Sequence, residues 1–130
     1  EKGAAAVLCT HCDGDYPAIV VDDTRIALGQ IARGERDRLG MKVVGITGSV
    51  GKSTTKEMVA AVLQTTYRVG KTPVNHNNDI GMPMAILGMP MDTEIAVLEM
   101  GIIPNFSAWC RRKCFPNCSH CFLAGNRWNF

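Results

Sequence analysis

The segment TGSVGKST, at residues 47–54, limits the folds open to this chain more than any other feature. It follows a largely apolar run at residues 42–47, which is typical of a strand buried on both faces of a parallel sheet. A segment with helical periodicity follows at residues 53–66. We predict a glycine-containing turn that joins a buried strand to a helix. The predicted apolar stripe of that helix consists of Met58, Val59, Val62 and Leu63.

A turn of this composition suits phosphate groups. Its glycines let the backbone aim several N–H groups at one point at the start of a helix. The Lys52 ammonium group would contact the β- and γ-phosphates of a triphosphate, and the Ser53 hydroxyl group would bind Mg²⁺. The fit to the common G-x-x-x-x-G-K-[ST] pattern is imperfect, since that pattern has glycine where this chain has Ile46. The alternative is a glycine-rich turn that only joins strand to helix, with Lys52 solvated. The candidate nucleotide-binding residues of the turn are Gly48, Ser49, Val50, Gly51, Lys52, Ser53 and Thr54.

Strands and helices alternate along the chain. Predicted strands lie at residues 4–9, 18–22, 42–47, 67–69 and 94–98, and predicted helices at residues 24–40, 53–66 and 81–87. Thr24 is the predicted cap of the first helix, and Asp79 that of the last. The β-α-β order predicts an α/β fold with a mostly parallel sheet and a ligand at the carboxyl ends of its strands. Gly40 is the predicted boundary between two regions.

Glu99 ends the last predicted strand, where its side chain would point into the same crevice as the turn. In nucleotide-binding α/β sheets, a carboxylate at this position commonly serves the metal ion, directly or through water. The alternative is a carboxylate that is simply solvated. The presence of a phosphate-binding turn in the same chain favours the metal role, so we expect Glu99 and Ser53 to serve Mg²⁺ together.

The overall composition excludes several classes of protein. The 130 residues are 46% hydrophobic and 20% charged, with a formal net charge of +2. These values are typical of a globular chain and not of a disordered tail or a strongly basic nucleic-acid binder. Apolar runs such as residues 4–8 are far shorter than the ~20 residues of a membrane-spanning helix. We therefore expect neither nucleic acid nor a membrane as a partner.

The end of the chain differs in composition from the rest. Residues 1–101 hold all 12 acidic residues and carry a formal charge of −2, whereas residues 102–130 carry +4. The latter segment also holds four of the six cysteines, all four phenylalanines and both tryptophans. We interpret it as an atypical tail that is either native or translated out of frame. Reading the coding DNA in its other two frames would separate these interpretations.

Two C-x-x-C pairs, at residues 9–12 and 118–121, leave a zinc site open as an alternative. Their separation lies far outside the usual spacing of a zinc ribbon. The four cysteines of the tail could instead bind a metal among themselves. The alternative function is therefore a nucleotide- or zinc-binding module without ligase activity.

Four segments together resemble the Mur ligases of bacterial cell-wall synthesis. The matching segments are residues 21–29 (VDDTRIALG), 47–58 (TGSVGKSTTKEM), 77–83 (NNDIGMP) and 99–101 (EMG). The resemblance covers about residues 3–101. The phosphate turn by itself is similar to that of the wider family, which includes folylpolyglutamate synthetases. The other matching segments favour the branch that adds D-alanyl-D-alanine.

The resemblance implies ATP-dependent amide formation. It implies an enzyme that phosphorylates UDP-N-acetylmuramoyl-tripeptide with ATP and Mg²⁺ and then joins it to D-alanyl-D-alanine. Residues 1–40 would end a small domain that binds the UDP-linked substrate, and residues 41–101 would begin an ATP-binding P-loop domain. Asn78 would lie near the nucleotide. The implied enzyme is a cytoplasmic monomer.

The chain also departs from the family pattern. After residues 99–101, the family usually continues with a Gly-Glu-Ile segment and later an apolar strand that leads to a metal-site histidine, whereas this chain reads IIPNF at residues 102–106. We therefore do not expect these 130 residues to catalyse ligation by themselves. We also expect marginal stability, because a sheet that ends after its third central strand leaves edges and apolar faces uncovered.

Overall fold

The structure is a computed structural model that describes residues 3–101 and the backbone of residues 121–123. Within these residues, the chain forms six strands and three helices. The strands are β1 (Val7–Cys9), β2 (Ala18–Val20), β3 (Lys42–Thr47), β4 (Val69–Lys71), β5 (Ile95–Glu99) and β6 (Cys121–Leu123). The helices are α1 (Thr24–Arg38), α2 (Lys52–Leu63) and α3 (Gly81–Leu87).

The described strands form two parallel sheets. Strands β1 and β2 pair as a small sheet of their own. The larger sheet has the order β4-β5-β3-β6, and all of its pairs are parallel. Val44 lies opposite Val97 in the β3–β5 register. The α/β fold with mostly parallel sheets is thus confirmed.

Strand β6 was not predicted from the sequence. Its backbone pairs with the end of β3, with Gly45 opposite Cys121 and Thr47 opposite Leu123. The large sheet therefore does not stop at three strands, as we expected it to. The composition of residues 102–130 concealed this short strand, and the rest of that segment lies outside the described residues.

The core lies on both faces of β5, which explains why this strand is buried along its whole length. Side chains alternate between the two faces of a strand. Ala96 and Leu98 pack with α1 and α3 residues such as Ala32 and Met82. The opposite face belongs to the cluster of Ile46, Ala60, Ile95 and Val97. Alternation therefore places Glu99 on the face that α2 covers.

Half of the predicted apolar stripe of α2 is wrong. Val59 and Leu63 pack against the core, but Met58 and Val62 are 65% and 70% exposed. The sheet-facing side of α2 instead buries Lys56 together with Ala60. Hydrophobic periodicity counts a lysine as outward-facing, so it rotated the predicted stripe away from Lys56 and toward Met58 and Val62.

The ends of α2 and β4 also differ from the prediction. The predicted helix reached residue 66, whereas α2 ends at Leu63. The backbone N–H groups of Thr66 and Tyr67 still donate to Leu63 O, at 3.1 and 2.9 Å. Because these turns continue the helix end, β4 begins at Val69 and not at the predicted residue 67.

Both predicted helix caps are wrong. Asp23, not Thr24, caps α1: its carboxylate accepts from the backbone N–H groups of Arg25 and Ile26, at 2.8 and 3.1 Å. Asn78, not Asp79, accepts from the N–H groups at the start of α3. The N-cap position of α3 itself is Ile80, which has no side-chain acceptor for the helix. Backbone geometry thus decides which of several adjacent polar residues reaches a helix start.

We expect Asp23→Ala to lower the free energy of unfolding by about 1 kcal/mol, because two N–H groups at the start of α1 lose their acceptor. Thr24→Ala is the matched control and should cost less. Urea denaturation followed by circular dichroism measures both values. A larger loss for Thr24→Ala than for Asp23→Ala would contradict the assignment of the cap.

Of the three described helices, none combines the length and apolar character needed to cross a membrane. The longest, α1, has 15 residues, and its sequence carries several charges.

Candidate nucleotide and metal site

The predicted phosphate turn lies between the end of β3 and the start of α2. Gly48 and Gly51 have φ values of 144° and 77°, a region that residues with a Cβ atom rarely adopt. Gly51 is the N-cap of α2 and offers no side-chain acceptor to the helix. The first N–H groups of a helix lack carbonyl partners within it. The turn therefore presents backbone donors at the carboxyl edge of the sheet, where an anion can accept from them.

The side chain of Lys52 folds back over this turn. Its ammonium group donates to Gly48 O at 2.8 Å, and the side chain is partly buried. Ser49, Val50, Ser53 and Thr54 are exposed around it. Five of the seven candidate residues of the turn are thus exposed at the end of β3, whereas Lys52 is partly buried and Gly48 is buried.

Ser53 and Glu99 meet across the crevice, although 46 residues separate them. The Ser53 hydroxyl group donates to Glu99 Oε2 at 2.8 Å. Glu99 is only 6% exposed, and its other oxygen accepts from Asn77 Nδ2 at 3.2 Å. A hydroxyl group and a carboxylate are hard oxygen ligands of the type that Mg²⁺ prefers. These two residues therefore fit a magnesium ion, with the remaining positions left to phosphate oxygens and water.

Asn78 takes a different place from its neighbour. Its Oδ1 atom accepts from Ile80 N and Gly81 N, at 3.1 and 2.6 Å, at the start of α3. Asn77 is the residue that reaches Glu99, and its carbonyl group accepts from Gly101 N at 2.7 Å. The loop that contains Asn77 and Asn78 is thereby fixed against the end of β5. A nucleotide-binding role for Asn78 stays a prediction.

Three residues that we did not predict as site residues complete the site, although Lys56 and Asn77 lie in the segments 47–58 and 77–83 that carry the family resemblance. Lys56 is 1% exposed and donates to Thr72 O at 2.9 Å. The Thr72 hydroxyl group accepts from Glu99 N at 2.9 Å, and Asn77 holds the carboxylate. The signals available for Lys56 were its place in segment 47–58 and its spacing of three residues from Ser53, which places both on one side of a helix.

A second carboxylate faces Lys56 from the same helix. Glu57 Oε1 lies 3.6 Å from Lys56 Nζ, and its other oxygen accepts from Lys71. The hydrogen bond from Lys71, aided by the charges of Lys71 and Lys56, lowers the pKa of Glu57 below its ordinary value. Lys56 thus lies between two acidic side chains.

The described residues contain no cluster of side chains that would support the zinc alternative. No group of three His, Cys, Asp or Glu side chains in that part of the chain is placed to hold a metal ion. Cys9 and Cys12 are free thiols. Cys118 and the side chain of Cys121 lie outside what the structure describes, so zinc binding by the tail stays untested.

Known proteins resemble this chain in both sequence and structure. Residues 46–105 match the Mur ligase middle domain. The chain is 53% identical over 106 residues to UDP-N-acetylmuramoyl-tripeptide--D-alanyl-D-alanine ligase of Bacillus subtilis, a match covering 78% of this chain and 23% of that protein. The enzyme of the same name in Escherichia coli is 42% identical over 100 residues, covering 76% and 22%.

The structural match includes a nucleotide complex. The crystal structure of MurF ligase from Thermotoga maritima in complex with ADP superposes with a TM-score of 0.75 at 34% identity, covering 84% of this chain and 26% of that one. MurF from Acinetobacter baumannii gives a TM-score of 0.68 at 38% identity, covering 73% and 21%. The chain thus spans about a quarter of the length of these relatives. On these matches, residues 46–105 belong to the Mur ligase family as its middle domain, and the chain is similar to about a quarter of a MurF ligase.

Proposed function

We propose that this chain is the ATP-binding part of a ligase that joins D-alanyl-D-alanine to UDP-N-acetylmuramoyl-tripeptide in peptidoglycan synthesis. The observation that carries the proposal is the Ser53–Glu99 pair, 2.8 Å apart beside the phosphate turn. The names of the relatives from Bacillus subtilis and Escherichia coli supply the two substrates. The ADP complex of the Thermotoga maritima neighbour supports a nucleotide at the turn.

The residues of the turn would bind the phosphates of ATP. Backbone N–H groups of residues 48–54 would donate hydrogen bonds to the phosphate oxygens. These bonds would orient the phosphate chain and stabilise its charge. Lys52 would exchange its contact with Gly48 O for the β- and γ-phosphates. Asn78 would lie near the nucleotide from the loop before α3.

Ser53 and Glu99 would hold Mg²⁺. When bound, the ion would neutralise charge on the transferred phosphoryl group. Glu99 would approach from the end of β5 and Ser53 from the first turn of α2, so the ion would lie at the edge of the sheet. Burial of Glu99 keeps its carboxylate in one orientation before any ligand arrives, which limits reorganisation on binding.

The proposed reaction is the one that the resemblance to the Mur ligases implies. The terminal carboxylate of the tripeptide would attack the γ-phosphorus of ATP, which forms an acyl phosphate and releases ADP. The amine of D-alanyl-D-alanine would then attack the acyl carbon, which forms the amide and releases phosphate. This chain would bind the nucleotide in these two steps. The tripeptide and D-alanyl-D-alanine would reach the bound nucleotide in the complete enzyme. We place that enzyme in the cytoplasm as a monomer.

Titration with Mg-ATP tests the proposal through Ser53. We expect Ser53→Ala to weaken Mg-ATP binding about tenfold, because the metal loses a ligand and Glu99 loses its donor. Binding of ATP in the presence of EDTA should change little. Thr65→Ala, which removes an exposed hydroxyl group beyond the far end of α2, is the control.

Two outcomes of this titration would contradict the proposal. The first is wild-type protein that binds no Mg-ATP, and the second is Ser53→Ala that binds it as tightly as the wild type. Metal analysis of the purified chain addresses the alternative of a zinc-binding module without ligase activity. One zinc ion per chain would favour that alternative.

A further inference from the structure

Lys56 is a buried ammonium group that the proposed mechanism leaves without a task. Among the fully buried residues in the described part of the chain, Lys56 has the largest volume, and it is only 1% exposed. Lysine is almost never fully buried unless it is paired, because removing its charge from water is costly. Three oxygens surround its Nζ atom: Thr72 O at 2.9 Å, Glu57 Oε1 at 3.6 Å and Glu99 Oε2 at 3.7 Å.

Lys56 approaches Glu99 from the inner side of the site. It lies three residues after Ser53 on α2, and both side chains reach the same oxygen of Glu99. Ser53 is exposed and lies at the mouth of the crevice, whereas Lys56 is enclosed. Asn77 holds the other oxygen of the carboxylate. Glu99 is therefore held from three directions, and Lys56 supplies the one positive charge among these three contacts.

The same lysine is also linked to the backbone of Glu99 through Thr72. Lys56 donates to the carbonyl oxygen of Thr72, and the hydroxyl group of Thr72 accepts from Glu99 N. Thr72 is itself 1% exposed. The three residues form a closed ring that connects α2, the loop after β4 and the end of β5. Removing Lys56 would therefore take away one contact to the Glu99 carboxylate and loosen Thr72, whose hydroxyl group holds the Glu99 backbone.

We propose that Lys56 is a positioning residue for the magnesium site, which holds the Glu99 carboxylate in its metal-binding orientation without contacting nucleotide or metal. This inference rests on the proposed function, because it assigns Lys56 a role only if Glu99 serves Mg²⁺. Two effects of the ammonium group oppose each other. Its charge repels a nearby cation, whereas its contacts orient the ligand that the cation needs. The sign of the change on removing Lys56 therefore tells which effect dominates.

The experiment measures the Mg²⁺ concentration that gives half-maximal tightening of ATP binding. We expect Lys56→Met to raise this concentration about tenfold, the size typical of losing a partner that orients a metal ligand. The affinity for ATP in EDTA should stay unchanged, because the turn and Lys52 remain intact. Lys71→Met is the matched control: it removes an exposed ammonium group that pairs with Glu57 and should leave the Mg²⁺ requirement unchanged.

Lys56→Gln keeps the test decisive if Lys56→Met does not fold, because glutamine can still donate to Thr72 O. We expect an intermediate increase in the Mg²⁺ requirement for this variant. A normal or lowered requirement in a folded Lys56 variant, with Mg²⁺-dependent binding by the wild type, would overturn this inference alone. If the wild type shows no Mg²⁺-dependent ATP binding, the proposed function and this inference fail together.

Discussion

Replacing Leu98 with alanine is expected to lower the free energy of unfolding by about 3 kcal/mol, within the usual range for a buried leucine. Leu98 is completely buried in the central strand β5. It packs in the cluster that joins α1 and α3 to the sheet. Truncation removes apolar contacts and leaves a cavity that close-packed neighbours fill only in part. Urea denaturation monitored by circular dichroism measures the loss.

Val62→Ala is the matched control for this prediction. It also shortens an aliphatic side chain, but Val62 is 70% exposed, so the expected loss is below about 0.5 kcal/mol. If the wild type is less stable than about 3 kcal/mol, Leu98→Ala should show no cooperative transition, while Val62→Ala keeps one. Equal denaturation midpoints for Leu98→Ala and the wild type would refute the assignment of β5 as the centre of the core.

The local features of this fold could be read from the sequence. Apolar runs predicted β3 and β5, because a strand that is covered on both faces has a nearly continuous apolar sequence. The phosphate turn was predicted from its glycines, its lysine and its place between a strand and a helix. Each of these signals lies within about 15 consecutive residues, the range over which periodicity is informative.

The contacts that complete the site could not be read in this way. Glu99 is 27 residues from Thr72 and 22 from Asn77, and only the folded sheet brings them together. Lys56 was misleading because buried lysines are rare, so the pattern of α2 was assigned to Met58 and Val62 instead. The buried charge makes sense only once the Glu99 carboxylate beside it is known. Functional sites are where local rules are expected to fail.

Replacing Lys52 with alanine is expected to weaken Mg-ATP binding about 100-fold. Hydrogen bonds to charged groups contribute about 1.5–3 kcal/mol, and the upper part of that range corresponds to this factor. The ammonium group already lies over the turn, 2.8 Å from Gly48 O, so little reorganisation is needed to reach a phosphate. Isothermal titration with Mg-ATP measures the change.

Two further variants locate this effect at the Lys52 ammonium group. Lys52→Met retains most of the aliphatic stem, so an equal loss in Lys52→Met and Lys52→Ala would assign the binding energy to the charge and its hydrogen bonds. Lys42→Ala removes an exposed lysine at the opposite end of the same strand, β3, and should bind as the wild type does. Because Lys42 and Lys52 contribute equally to the net charge, unequal effects exclude general electrostatic attraction as the cause. Equal Mg-ATP affinity in Lys52→Ala and the wild type would exclude the turn as the phosphate site.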